Sequence, residues 1–290
     1  PDVTVVVGAY DAMPYLVACL DSVEAQTLDH ARIEVIAVDD GSTDGTGEYL
    51  EEFAARTSLD VMVVRQDNSG GPGGPRNVGL GKATGRYVFF LDADDRLGPE
   101  ALERMVAMAD GNGTDVVLGR VEGVNRKPPT SMWGKTLDRT DVFSSNIKFT
   151  LSAQKLFRRA FLERHSMRFD ESLWTGEDAL FTMEAYLRAD GVSVIADHTC
   201  YYLVGREDGK HVTRTGSHTL RFDSARALMN LIADMVPAGA SRDALMVRPF
   251  LVTLLPQFGP KFLKDSEAVR REKLELAKPL MDAYWTGEVA

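Results

Sequence analysis

The chain has 290 residues, of which 44% are hydrophobic and 26% charged, an ordinary composition for a globular protein with a sizeable core. Its formal net charge of −10 argues against a sequence-independent grip on nucleic acid or on an anionic membrane. The two cysteines form neither a metal pair nor a disulfide framework, and this predicts a reducing, cytoplasmic setting. We find no signal-peptide pattern and no apolar run of about 18 residues in this sequence.

The first part of the chain alternates apolar runs with helical patterns. Runs rich in β-branched or aromatic residues predict strands over residues 3–7, 33–38, 61–64, 86–91 and 116–118. Helical spacing follows each of the first four, the last of these helices covering residues 99–109. This alternation predicts an α/β fold with a doubly wound, mostly parallel, Rossmann-like sheet.

The second part of the chain is less regular. Residues 122–140 lack periodicity and predict a long surface loop, whereas 153–162 predict a helix and 192–195 and 201–204 predict two strands. After residue 217 the pattern is entirely helical, with 249–256 expected to lie in the core of that part. We therefore predict an α/β half over 1–120, a second half of the same domain over 121–217, and a helical C-terminal extension over 218–290.

Three carboxylates, Asp92, Asp94 and Asp95, directly follow the apolar run at 86–91. A run without polar alternation indicates a central strand, and open α/β sheets bind ligands at the carboxyl ends of such strands. Asp92 and Asp94 are two residues apart, so in extended backbone they would project to one side and could bridge Mg²⁺ or Mn²⁺ to a phosphate. The alternative is an Asp-rich turn that caps the next helix.

Polar loops follow all four early strands, at residues 8–11, 39–45, 68–74 and 92–95. Because the carboxyl ends of parallel strands share one edge, these loops should converge on one crevice that suits a nucleotide diphosphate. The glycines of 70–74 let the backbone approach a ligand, and Arg76 stands where a helix N-terminus favours an anion. Neither a Walker loop nor a dinucleotide-binding fingerprint is matched.

Five of these motifs, in this order, resemble the signatures of family 2 glycosyltransferases. They are Ala9 and Tyr10 after the first strand, Asp39 to Gly45, Arg76 to Gly79, Phe90 to Asp95, and Gly176 to Asp178. The resemblance covers about residues 3–215. It implies a glycosyltransferase A-type fold and metal-dependent transfer of a sugar from a nucleotide-sugar, with inversion at the anomeric carbon.

The resemblance also implies roles for individual residues. It assigns the nucleotide-sugar, usually uracil-based, to Ala9, Tyr10, Asp11, Asp39, Asp40, Asn68, Arg76, Asp92, Ala93 and Arg206. It assigns a Mn²⁺ or Mg²⁺ ion to Asp94 and Asp92, with His211 completing the shell or contacting the diphosphate. It makes Asp178 the general base and gives Glu177 the positioning of donor or acceptor hydroxyls, for which helix capping is the alternative. Acceptor contacts are expected from Trp174, Glu177 and Asp208, although large aromatics such as Trp174 are more often core.

The loop at 206–214 resembles that of wall teichoic acid glycosyltransferases, a solvated charged loop being the alternative. We therefore expect a UDP-linked donor and a glycan or polyol-phosphate acceptor of a bacterial envelope, and leave open contact with the inner membrane face and homo-oligomers through the C-terminal helices. Two competing functions remain. A nucleotidyltransferase would carry a Gly-rich, basic loop after the first strand, and a silent sugar-nucleotide or glycan-binding module would have no need of Asp178.

Overall fold

The computed structural model describes residues 1–207, 217–286 and 289. Two residues selected from the sequence, Asp208 and His211, lie outside the described residues.

Within the described residues, nine strands form one sheet. They are β1 (Val3–Ala9), β2 (Ile33–Asp39), β3 (Asp60–Arg65), β4 (Tyr87–Asp92), β5 (Arg96–Leu97), β6 (Val116–Val124), β7 (Leu137–Thr140), β8 (Leu156–Arg158) and β9 (Val192–Val204). Their order across the sheet is β3-β2-β1-β4-β8-β6-β9-β5, and β7 also pairs with β9.

The four strands predicted first pair in parallel, and β6 and β9 form a further parallel pair. Val3 of β1 lies opposite Ile33 of β2 and Tyr87 of β4, and β3 pairs with β2 in the same direction. The carboxyl ends of β1, β2 and β4 therefore meet at one edge, as expected. Antiparallel pairs are formed by β8 with β4 and β6, and by β5 and β7 with β9.

Nine α-helices belong to the described residues. They are α1 (Tyr15–Glu24), α2 (Thr46–Arg56), α3 (Gly73–Lys82), α4 (Ala101–Asn112), α5 (Arg159–Arg164), α6 (Glu177–Arg188), α7 (His218–Met235), α8 (Ala240–Arg248) and α9 (Glu267–Tyr284). A π-helical turn, Pro249–Leu254, continues from α8. Among these helices we find none that combines the length and the apolar character required to cross a bilayer.

Both faces of the sheet are buried, which explains the continuous apolar runs. On one face Val5 and Phe89 pack with Leu16 of α1 and with α4. On the other face Phe90 stacks edge-on against Phe181 of α6, with ring centroids 5.8 Å apart, and α7 and α9 complete this core. The strand ends that carry the polar loops are thus held from two sides.

Three secondary-structure predictions were wrong. The segment 153–162 was expected to be helical throughout, but only its end belongs to α5, whereas Leu156–Arg158 forms β8 between β4 and β6, so tertiary pairing overrides local spacing there. The predicted loop at 122–140 contains the end of β6 and all of β7. The two strands expected at 192–195 and 201–204 are one strand, β9, whose pairing with β6 shifts register at Gly119 and Arg120.

Segment 249–256, expected in the core, is mixed: Phe250 and Leu254 are buried, whereas Leu251 and Val252 are exposed. The sheet continues to Val204, and the C-terminal helices pack on it. The division of the chain into three units stays a prediction.

Candidate active site

A cleft of about 870 Å³ opens at the carboxyl ends of the central strands, a volume typical of small-molecule sites. Most of the residues selected from the sequence line it: Ala9, Tyr10, Asp11, Asp40, Asn68, Arg76, Asp92, Ala93, Asp94, Trp174, Glu177, Asp178 and Arg206. Residues up to about two hundred positions apart thus meet in one place, because the sheet brings their loops to one edge.

The loop after β1 is fastened to the loop after β2. The backbone N–H of Asp11 donates to Ser42 Oγ at 3.0 Å, and the N–H of Thr43 donates to Asp11 Oδ1 at 2.9 Å. Asp11 itself has a φ of 43°, a left-handed conformation that is uncommon outside glycine and concentrates at functional sites. Beside it Tyr10 is 54% exposed, so its ring is available for stacking on a planar base.

Asp39 and Asp40 are adjacent but serve different purposes. Asp39 does not line the cleft: its Oδ2 lies 3.3 Å from Arg65 Nε, and its Oδ1 accepts from the backbone N–H of Ser42. The structure therefore gives no support to a contact of Asp39 with a nucleotide. Asp40 lines the cleft, and its carboxylate accepts from the backbone and the hydroxyl of Ser69 at 3.0 and 2.9 Å.

The same network positions Asn68, whose Nδ2 donates to the backbone oxygen of Asp40 at 3.0 Å. Its Oδ1 accepts from the N–H of Gly70 at 2.9 Å, where φ is 88°. A left-handed residue is needed at this turn, and glycine supplies it without strain. The loop before α3 is thus shaped around the carboxylate of Asp40.

Arg76, in α3, connects three elements at the floor of the cleft. Its Nη1 donates to Glu177 Oε1 at 2.7 Å, and its Nη2 donates to Asp92 Oδ1 at 2.8 Å. The guanidinium also lies 5.3 Å from the ring centroid of Phe169. Although burial disfavours its charge, the carboxylates of Asp92 and Glu177 raise the pKa of Arg76 above its ordinary value. Arg76 is therefore a buried structural cation as well as a residue of the cleft.

The Asp-rich segment turns sooner than the sequence predicts. β4 ends at Asp92, and the N–H of Asp95 donates to the backbone oxygen of Asp92 at 3.0 Å, so a turn begins there. The expectation that Asp92 and Asp94 project from extended backbone to one side was therefore wrong. The carboxylate of Asp92 instead accepts from Arg76 and from Gln154 Nε2.

Asp94 is the carboxylate of this turn that best suits a cation. Burial and, next, the charge of Asp92 raise its pKa to about 6, while Arg206 and Arg126 act in the opposite direction. Mg²⁺ and Mn²⁺ are commonly held by one or two carboxylates together with phosphate oxygens. Crowded carboxylates of this kind fit such an ion. Among the described residues, no group of three or more His, Cys, Asp or Glu side chains could hold a metal ion.

The third carboxylate of the turn, Asp95, ties β9 to the cleft. Its oxygens accept from the hydroxyl of Tyr201 at 2.6 Å and from the N–H of Val204 at 2.7 Å. Two residues beyond β9, Arg206 donates to the backbone oxygen of Asp11 at 3.1 Å and lies over the ring of Tyr15. The end of the strand thereby delivers a cation to the rim of the cleft.

The Glu177–Asp178 pair begins α6 directly after Gly176, whose φ is 86°. Asp178 Oδ1 accepts from the N–H of Ala179 at 2.7 Å, so this oxygen serves the first turn of the helix, as the capping alternative expects. The side chain of Asp178 also lines the cleft. Glu177 is buried. Burial and the charge of Asp178 raise the pKa of Glu177 to about 7, against the effect of Arg76.

Several residues of the cleft were not selected from the sequence. They include Arg126 and Lys127 after β6, the segment from Phe149 to Gln154, and Arg248 at the end of α8. A lone Gln or Arg outside a motif carries no signal that distinguishes it from a surface residue. Only the pairing of β8 and the packing of the C-terminal helices bring these side chains to the cleft.

The sequence of residues 4–169 matches the family model described as Glycosyl transferase family 2. The chain belongs to glycosyl transferase family 2. The resemblance drawn from the five motifs is thereby confirmed, and the nucleotidyltransferase alternative loses its basis.

Relatives with assigned names resemble this family 2 chain over about three quarters of its length. It is 40% identical over 212 residues to the poly(ribitol-phosphate) beta-glucosyltransferase of Bacillus spizizenii, covering 73% of this chain and 33% of that protein. It is 39% identical over 211 residues to the poly(ribitol-phosphate) beta-N-acetylglucosaminyltransferase TarS of Staphylococcus aureus, covering 72% and 36% respectively. The chain thus spans about a third of the length of these curated relatives.

The fold is similar to that of solved TarS structures. The crystal structure of S. aureus TarS 1–349 in complex with UDP-GlcNAc superposes with a TM-score of 0.89 at 32% identity, covering 98% of this chain and 82% of that one. The predicted fold class, α/β of the glycosyltransferase A type with C-terminal helices, is confirmed. The roles assigned to single residues stay predictions.

Proposed function

We propose that this chain transfers a sugar from a UDP-linked donor to a hydroxyl of a polyol-phosphate polymer, with inversion at the anomeric carbon. The observation that carries the proposal is that Asp40, Asn68, Asp94 and Asp178 all line one cleft. Two observations support this choice of acceptor and donor: the relatives are named poly(ribitol-phosphate) glycosyltransferases, and TarS is known in complex with UDP-GlcNAc.

In the proposed reaction, Asp178 accepts the proton of the attacking hydroxyl. That oxygen forms a bond to the anomeric carbon while the bond from this carbon to the β-phosphate oxygen breaks, and UDP leaves with the electron pair. Glu177, fixed by Arg76 at 2.7 Å, positions a hydroxyl of the donor or acceptor. Arg206, at the rim, donates to the departing diphosphate.

We further propose that Asp94 holds Mn²⁺ or Mg²⁺, since its carboxylate lies in the cleft among negative neighbours. When bound, such a cation offsets the charge that develops on the leaving diphosphate. The cytoplasmic setting, contact with the inner membrane face and self-association through the C-terminal helices stay predictions. None of them is needed for the chemistry.

The proposal is tested by UDP release from UDP-glucose and UDP-N-acetylglucosamine with poly(ribitol phosphate) as acceptor. We expect wild type to release UDP and modify the polymer with one donor, and Asp178→Asn to be slower by about 10²–10⁴-fold with UDP affinity retained. Asp282→Asn, which alters an exposed carboxylate paired with Lys278 on α9, is the matched control. The absence of transfer from every donor by wild type would overturn the proposal.

A further inference from the structure

Arg248, the last residue of α8, reaches the cleft from the C-terminal helices. Its Nε is buried and has no hydrogen-bond partner within the described residues. By contrast Arg76, which also lines the cleft, donates to Asp92 and to Glu177. A buried donor without a partner is costly, and native proteins rarely keep one unless a bound group accepts from it.

The charge of Arg248 is also poorly compensated. Burial lowers its pKa below the ordinary value, and only the negative charge of Asp178 acts in the opposite direction. Arginine remains protonated through such shifts. The cleft therefore contains a cation beside the proposed base that no ion pair of the described residues neutralises.

The cations of the cleft interact with two different carboxylates, Asp94 and Asp178, which in the proposed reaction mark a donor end and an acceptor end. Arg206 and Arg126 act on Asp94, the carboxylate proposed to lie near the donor diphosphate. The charge of Asp178, where the acceptor hydroxyl must arrive, acts on Arg248 and on the buried Lys155. Lys155 donates to the backbone of Ser152, whereas Arg248 lines the cleft. Arg76 also lines the cleft and interacts with Asp178, but its donors are engaged by Asp92 and Glu177, so Arg248 is a cation of the acceptor end that is left for a ligand.

We propose that Arg248 binds an anionic group of the acceptor, a phosphodiester, and so holds the attacking hydroxyl beside Asp178. This inference rests on the proposed function, because it concerns the acceptor of that reaction. A guanidinium presents paired N–H donors that match two oxygens of a phosphate. A phosphate in the cleft would give this buried cation a counter-charge that the described residues do not supply in an ion pair.

The test measures binding of poly(ribitol phosphate), without donor, to wild type, Arg248→Gln, Arg248→Lys and a control. The control is Arg242→Gln, an arginine of the same helix that does not line the cleft. We expect about 10- to 100-fold weaker polymer binding for Arg248→Gln, a smaller loss for Arg248→Lys, and no change for Arg242→Gln. UDP affinity should be the same in all four proteins, because Arg248 lies at the other end.

Salt dependence and UDP affinity distinguish a charged contact with the acceptor from a contact with the donor. Added salt should weaken polymer binding more in wild type than in Arg248→Gln, since a charged contact is screened. Unchanged polymer binding in Arg248→Gln would overturn the assignment, and so would lost UDP affinity, which would place Arg248 at the donor diphosphate. If wild type binds the polymer through Arg248 but transfers no sugar, the proposed function fails while the anion site stands.

Discussion

Arg76 and Glu177, which are 101 residues apart in the sequence, form a buried ion pair with Nη1 and Oε1 2.7 Å apart. The same guanidinium donates to Asp92, so one cation joins α3, the end of β4 and the start of α6. Buried ion pairs contribute little net stability, but the removal of one partner leaves a charge without compensation. The first prediction follows from this asymmetry.

Arg76→Met should lower the free energy of unfolding by about 3–5 kcal/mol, because the buried carboxylate of Glu177 and the partly buried carboxylate of Asp92 lose their partner. Arg76→Lys should recover only part of the loss, since an ammonium cannot present two donors in the geometry of the fork. Urea denaturation measures both. The control is Arg271→Met, which breaks an exposed pair with Glu267 and should cost at most about 0.5 kcal/mol. Equal losses at the two sites would contradict the prediction.

Gly176→Ala should impair transfer more than stability. The φ of 86° strains any L-residue, and an added Cβ would collide with the side chain of Ser224 in α7. We expect a loss of about 1–3 kcal/mol in unfolding free energy, and a fall in transfer rate because Asp178 lies two residues on. Gly111→Ala, in α4 with open space around it, should be neutral. Full activity of Gly176→Ala would show that the start of α6 tolerates displacement.

Lys155 should give the protein a recognisable dependence of stability on pH. Burial lowers the pKa of Lys155 to about 7 from 10.5, with Asp178 acting in the opposite direction. Between these two values the unfolded chain binds a proton that the folded chain does not, so the stability of the fold rises with pH through this window. Below about pH 7 the folded and the unfolded chain both carry the proton, so the stability of the fold is lowered by the whole desolvation free energy of the buried ammonium.

Lys155→Met should remove that rise and stabilise the fold most at low pH, because a flexible apolar chain replaces a desolvated charge. Unfolding free energies from urea titrations at about pH 6 to 10 would show curves for the two proteins that converge as the pH increases. Parallel curves would mean that Lys155 keeps an ordinary proton affinity. A less stable variant at every pH would indicate that its contact with Ser152 is the dominant contribution.

Asp94→Asn should abolish the part of UDP affinity that depends on Mn²⁺. The amide keeps the shape of the side chain but loses the charge that a hard cation requires. UDP titrations with Mn²⁺ and with a chelator measure the difference, and affinity in chelator should be close to that of wild type. An undiminished effect of Mn²⁺ would move the cation to another group.

The sequence reveals the parts of this architecture that depend on local patterns. The strands of the parallel half are predictable because apolar runs end in polar loops, and the convergence of those loops follows from parallel topology. The sequence does not show that Asp40 lines the cleft and Asp39 does not. That difference depends on the position of Arg65 on β3, which pairs with Asp39. Likewise, the turn at Asp92 invalidates a spacing argument that holds only for extended backbone.

Features that depend on distant contacts are not predictable in this way. Residues 153–162 have helical spacing, yet Leu156 pairs with Phe89 and Val117, and this places Gln154 against Asp92. Arg248 reaches the cleft only because α8 packs beside α7. Neither residue lies in a motif. The sequence therefore shows the nucleotide end of the site more completely than the acceptor end.

The two hydrogen bonds from β9 to Asp95 have a consequence for ligand binding. They fix the turn that carries Asp94 to a strand end that lies 109 residues further along the chain and leads to Arg206. The groups that would meet the two ends of a diphosphate are therefore fastened to one another before any ligand binds, through Asp95 on one side and through the contact of Arg206 with Asp11 on the other. A site fastened in this way loses less conformational entropy when its ligand arrives.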